Sequence, residues 1–139
     1  MDDAGLYEAF LARAIPKDDW THRAHVRVAW CALRAHGTTE AALPVLRGAI
    51  RRLNEAQGGQ NTATAGYHET ITVAMLRLVE ATLRAHGPAA GSEAFCDAHP
   101  HLLRSSVLWL YYTRGRLLSE RARARYVAPD VGPLPYRKR

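Results

Sequence analysis

Two short segments of the chain carry the residue types that do acid–base or metal chemistry. One is Trp20-Thr21-His22-Arg23-Ala24-His25. The other is Gly66-Tyr67-His68-Glu69-Thr70-Ile71-Thr72, which follows the loop Gly58-Gly59-Gln60-Asn61-Thr62-Ala63-Thr64. His22 and His25 are three apart and share one face of a helix. His22 falls in line with Val26, Ala29 and Leu33, and His68 with Ile71, Thr72, Met75 and Val79, so both stripes are expected to face inward. An inward imidazole brings a donor and an acceptor that each need a partner. Three of them with a carboxylate, near the starts of two long helices, point to one shared polar site. Neutral histidine is a common ligand for zinc, iron or copper, and a carboxylate often completes the shell. The expected ligand set for a divalent transition metal is therefore His22, His25 and His68. Glu69 is then a fourth ligand or a general base beside metal-bound water, with Tyr67 as its catalytic neighbour.

This pattern is less constrained than H-E-x-x-H, where one helix fixes two ligands and the base. Here the fold must join two halves, and adjacent His68 and Glu69 diverge by about 100° on an ideal helix. A metal-free version uses His25 or His68 as general base, with Glu69 orienting it. Trp20, Asn61, Tyr112 and Arg114 are the expected substrate-binding residues: aromatic walls, a loop amide at the mouth and a cation for a carboxylate or phosphate. Each also has a plainer role. Trp20 and Tyr112 suit core packing, Asn61 suits turn chemistry, and Arg114 suits an exposed helix end. Each histidine could equally satisfy a nearby carbonyl. His99 and His101 flank Pro100 at helix ends, and Cys31 sits in an apolar run with no activating cation.

The elements that must position these residues all read as helices. Leu6, Phe10, Leu11 and Ile15 predict a first helix over 4–14, ended by Pro16. A second runs to His36, capped by Asp18, Asp19 or Thr21 and stopped at Gly37. Thr38 or Thr39 caps a third that continues to Gln57. The fourth is expected from Thr64 to Ala85 or His86, before Gly87-Pro88. A short helix over Glu93–His99, an apolar helix over His101–Thr113 and a basic helix over Leu117–Tyr126 follow. Val127 to Pro135 is too proline-rich to be helical and should strap across the bundle, with Val131 and Leu134 needing cover. No segment alternates like a strand. The expectation is an all-α, single-domain bundle of about five to seven helices over 1–126, with an extended, basic, proline-rich tail over 127–139.

The bulk numbers agree with one soluble domain. The chain has 139 residues, 47% apolar and 23% charged, which suits one core and excludes a disordered segment. No apolar run approaches the roughly 20 residues of a membrane span. The acidic start, Met1-Asp2-Asp3, lacks a secretory pattern, and Cys31 and Cys96 read as reduced core residues, so a cytoplasmic setting and no membrane partner are expected. The net charge of +6 owes much to Arg114, Arg116, Arg121, Arg123, Arg125, Arg137, Lys138 and Arg139. These suit a solvated surface better than a nucleic-acid interface.

The blocks Trp20-Thr21-His22-x-Ala24-His25, then Asn61 with Gly66-Tyr67-His68-Glu69-Thr70-Ile71-Thr72, then Pro129-Asp130-Val131-Gly132-Pro133-Leu134-Pro135 resemble those of a family of small bacterial helical proteins. The resemblance spans Trp20 to Pro135. It implies one recurring design and no particular reaction. Residue chemistry alone therefore orders the functions. First comes a small metal-dependent hydrolase or lyase, less readily an oxygenase, acting on a small-molecule substrate. The alternative is a metal-free protein that binds or protects an anionic or aromatic metabolite. A nucleic-acid module using the arginine-rich end is third.

Overall fold

The computed structural model describes residues 1–135. Among them are seven α-helices, three 3-10 segments and no strand. The helices are α1 (Asp3–Leu11), α2 (His22–His36), α3 (Thr39–Ala56), α4 (Glu69–His86), α5 (Ser92–Ala98), α6 (Arg114–Leu117) and α7 (Glu120–Ala124). α2, α3 and α4 pack pairwise against one another. α1 leans on α2 and α3, α5 on α2, and α7 on α4. The apolar stripes of the three long helices meet in one core that includes Val26, Val28, Leu33, Leu46, Leu53, Leu76 and Val79, closed by Phe10 and Phe95. No helix of the described residues is long and apolar enough to cross a membrane.

Several helix ends follow the expected chemistry. The Thr21 and Thr38 hydroxyls accept from the amides of Ala24 and Ala41 and so cap α2 and α3. Both long helices that end in Leu-Arg-Ala-His-Gly stop at the glycine, Gly37 and Gly87.

Three expectations need correction. α4 begins at Glu69, five residues after Thr64, because the chain first turns back at Gly66. There φ is +82°, and a Cβ would stand 2.2 Å from the Gln60 carbonyl oxygen, so only glycine fits. The stretch 101–113 is not one apolar helix. It forms 3-10 segments over Pro100–Leu103 and Ser105–Leu110, broken by extended backbone at Arg104, where Ser105 and Ser106 are poor continuers of a helix. The basic stretch 117–126 is likewise divided: Ser119 ends one turn and its hydroxyl caps the next by accepting from Ala122 N–H.

The chain after α7 is extended and tied to the bundle. Val127 N–H donates to Thr70 Oγ1 and Val131 N–H to the Tyr111 carbonyl. Leu134 is buried as expected, whereas Val131 is 57% exposed. The rest of the predicted tail, 136–139, lies outside the described residues.

Candidate functional site

The start of α4 is built around His68. Its backbone is extended, and its side chain serves as the helix cap: Nδ1 accepts from Ile71 N–H at 3.2 Å. The opposite ring nitrogen, Nε2, carries the proton and donates to the Leu117 carbonyl at 2.8 Å. One imidazole therefore begins α4 and ties it to the end of α6. Burial pushes its pKa below the ordinary histidine value, and the Arg123 charge adds to this against the opposing effect of the Leu117 bond. The neutral tautomer is the form this geometry requires, since a second ring proton would confront the Ile71 N–H.

Glu69 turns away from His68, as adjacent helical residues must, and meets α3. Arg47 grips it with both branches of the guanidinium, Nε to Oε1 at 3.0 Å and Nη2 to Oε2 at 2.6 Å. The Tyr67 hydroxyl donates to the same Oε1 at 2.6 Å. The Arg47 pairing holds the carboxyl below its usual range, so Glu69 is an ionised, partnered group and not a proton donor. Burial, followed by the bond to Glu69, raises the Tyr67 phenol above its ordinary value. The expected catalytic residues thus touch each other, and their polar atoms are directed at each other and at Arg47.

Asn61 locks the loop that delivers this pair. Its Oδ1 accepts from Tyr67 N–H at 3.0 Å and from Asn54 Nδ2 at 3.1 Å; its own amide donates to the Arg51 carbonyl at 3.1 Å. From α7, Arg123 Nη1 donates to the Gly66 carbonyl at 2.6 Å. From α3, the Arg51 guanidinium lies over the Tyr67 ring, 5.5 Å from its centre. Between them is a cleft of about 310 Å³ lined by Arg51, Asn61, Thr62, Ala63, Tyr67 and Arg123. Neither Arg51 nor Arg123 pairs with a carboxylate among the described residues.

The start of α2 is a separate cluster. Trp20 lies between Phe10 and His25, with ring centres 5.5 and 3.8 Å away. His25 Nδ1–H donates to the Thr21 carbonyl at 2.7 Å, and His22 Nε2–H to the Leu102 carbonyl at 3.0 Å. Their ring centres are 6.4 Å apart. Burial lowers the His25 pKa, so its ring is neutral near pH 7.

The expected meeting of His22, His25 and His68 is therefore corrected. Each imidazole is bonded to a different backbone segment, and both nitrogens of His68 are occupied. Among the described residues, no group of three or more His, Cys, Asp or Glu is disposed to hold a metal ion. Of the expected substrate-binding residues, Asn61 lines the cleft. Tyr112 is 1% exposed and packs in the core, with its hydroxyl donating to the Val127 carbonyl. Trp20 serves the α2 cluster as packing, and Arg114 is exposed over the Trp109 ring. Burial pushes the Cys31 thiol up to about 12, in keeping with an inert core cysteine.

Arg47 and Arg51 were not singled out by their sequence pattern, and Arg123 only as part of a basic run. The available signal was their spacing: Arg47 and Arg51 are four apart on α3 and share a face. No protein-family model, curated protein or solved structure matches the chain.

Proposed function

We propose that the protein binds a small anionic ligand, a carboxylate or a phosphate ester, in the cleft between α3, the 61–66 loop and α7. The observation that carries this reading is the convergence of Arg51 and Arg123 on that cleft without a carboxylate partner among the described residues. Glu69, which would otherwise neutralise them, is held by Arg47 in a two-pronged pair. Guanidinium forks match the planar edge of a carboxylate or two oxygens of a phosphate, and Asn61, bonded to Tyr67 N–H and the Arg51 carbonyl, fixes the loop that forms the rim. Tyr67 supplies an apolar wall. The Arg47–Glu69–Tyr67 group holds that wall in place: Glu69 accepts from both Arg47 and the Tyr67 hydroxyl.

Calorimetric titration with inorganic phosphate and with phenyl phosphate tests this. The wild-type protein is expected to bind at least one of them, and Arg51→Gln to weaken it about tenfold or more, the loss of one charge-assisted contact. Absence of heat with both probes, or an unchanged affinity in Arg51→Gln and Arg123→Gln alike, overturns the assignment.

A further inference from the structure

A second surface carries an unusual combination of side chains. Trp109 and Leu110 end the 3-10 segment Ser105–Leu110 at 37% and 66% exposed, and Val131 on the extended tail is 57% exposed. The tail at Val131 runs along the end of this segment. Val131 N–H donates to the Tyr111 carbonyl at 2.9 Å, and Gly132 approaches the Leu110 carbonyl oxygen. The same strip is stitched to α6. Thr113 donates through its amide and hydroxyl to Asp130 at 2.8 and 2.6 Å, and Arg116 Nε donates to the Ala128 carbonyl at 2.5 Å. Arg114 lies over the Trp109 ring at 5.5 Å. Leu110 also rims a cleft of about 260 Å³ walled by Leu78, Ala81, Val107, Tyr111 and Pro135.

Two cations border this patch: Arg114 over the Trp109 ring and Arg116 at the Ala128 carbonyl. The carboxylate beside them, Asp130, has both oxygens bonded to Thr113. Large exposed apolar side chains in one patch mark an interaction surface. Arginines at their edge say what kind of partner it takes. A nucleic acid would stack on Trp109 but gain nothing from exposed Leu110 and Val131, which have no ring. A second copy of the chain would bring like-charged Arg114 and Arg116 together. A bilayer with anionic headgroups matches both features: apolar tips enter the acyl boundary, the indole sits at headgroup level, and guanidiniums meet lipid phosphates.

We infer that the face formed by Trp109, Leu110, Val131, Arg114 and Arg116 docks on an anionic lipid surface. The protein touches the bilayer there and does not span it.

The test is co-sedimentation of the full chain with vesicles of phosphatidylcholine, with and without phosphatidylglycerol, read together with tryptophan emission. Binding is expected only to the anionic vesicles, with a blue shift that disappears in Trp109→Phe. Arg114→Gln with Arg116→Gln should weaken binding about thirtyfold, from roughly a tenfold loss for each 1.4 kcal/mol and about 1 kcal/mol for each arginine at such a surface. Leu110→Ser with Val131→Ser, both exposed and so compatible with folding, should weaken it at least as clearly. No binding to anionic vesicles at low salt overturns the inference, as does equal binding to neutral vesicles. Binding that ignores the Leu110/Val131 change also overturns it. So does a concentration-dependent dimer that this change dissolves without any effect on lipid, which assigns the patch to a second copy. An oligonucleotide that displaces the vesicles and still binds the Leu110/Val131 variant assigns the arginines to nucleic acid instead.

Discussion

The starts of α2 and α4 look alike as sequence and differ in what their histidines do. At α2 a threonine hydroxyl performs the capping, so His22 and His25 lie beyond the cap, and each makes one ring hydrogen bond to a carbonyl. At α4 the histidine is itself the cap, and the Leu117 carbonyl takes its second nitrogen. The chemistry at α4 therefore moves to the residues on either side. Tyr67 and Glu69 turn toward α3, where Arg47 holds Glu69, and Arg51 joins Arg123 of α7 in lining the cleft beside Tyr67. The same residue type, near the start of two helices, is an aromatic packing element inside α2 and a structural pin at the cap of α4. The cap decides which.

The contrast breaks most visibly at His68. His68→Ala removes the cap, about 1 kcal/mol, and strands the Leu117 carbonyl, about another 1–3, so a loss of roughly 3 kcal/mol is expected in urea unfolding. His68→Asn should recover the capping share alone. Next is Glu69→Gln, which leaves Arg47 and the Tyr67 hydroxyl poorly matched; about 2 kcal/mol is expected, reduced from the fully buried case because Arg47 is 41% exposed. The counterpart at the other helix, Thr21→Ala, should lose only about 1 kcal/mol, since no ring is stranded by it. Smallest is Arg23→Ala. Its pairs with Glu93 and Asp97 are solvent-exposed, so less than about 1 kcal/mol is expected in the same assay.

Acid sharpens the comparison further. The pKa values of His25 and His68 are both lowered in the folded protein. The unfolded chain thus takes up protons first as pH falls. Their contribution to stability is complete above the unfolded value of about 6.5 and is lost as pH drops from there through the folded values. His68→Asn should flatten part of this decline in unfolding free energy between neutral and mildly acidic pH. A decline of unchanged size would show that His68 does not contribute to it.

The architecture was largely legible because its signals are local. Apolar periodicity, Thr21, Thr38, Gly37 and Gly87 identify the long helices and most of their ends. The errors fall where the outcome depends on tertiary partners. Thr64 has the right chemistry for a cap, but Gly66 and the Asn61 clamp keep the chain turning until His68, a residue type that seldom caps. The apolar spacing at 101–113 suits a helix, yet the segment is divided at Arg104 so that Leu102, Val107, Leu108 and Tyr112 all reach the core. At the site, the divergence of His68 and Glu69 was readable from helix geometry. The arginines that Glu69 meets were not, because Arg47 and Arg51 on α3 look like any solvated helical face until the partner helix is in place.

The most direct test places the two helix starts in one experiment: residue-resolved amide shifts of the whole chain during titration with phenyl phosphate. Shifts centred on Asn61, Thr62, Tyr67 and Arg123, with Thr21 to His25 unmoved, are the predicted result. Shifts centred on Thr21 to His25, with the 61–67 loop silent, would contradict the account and return the binding role to the α2 histidines.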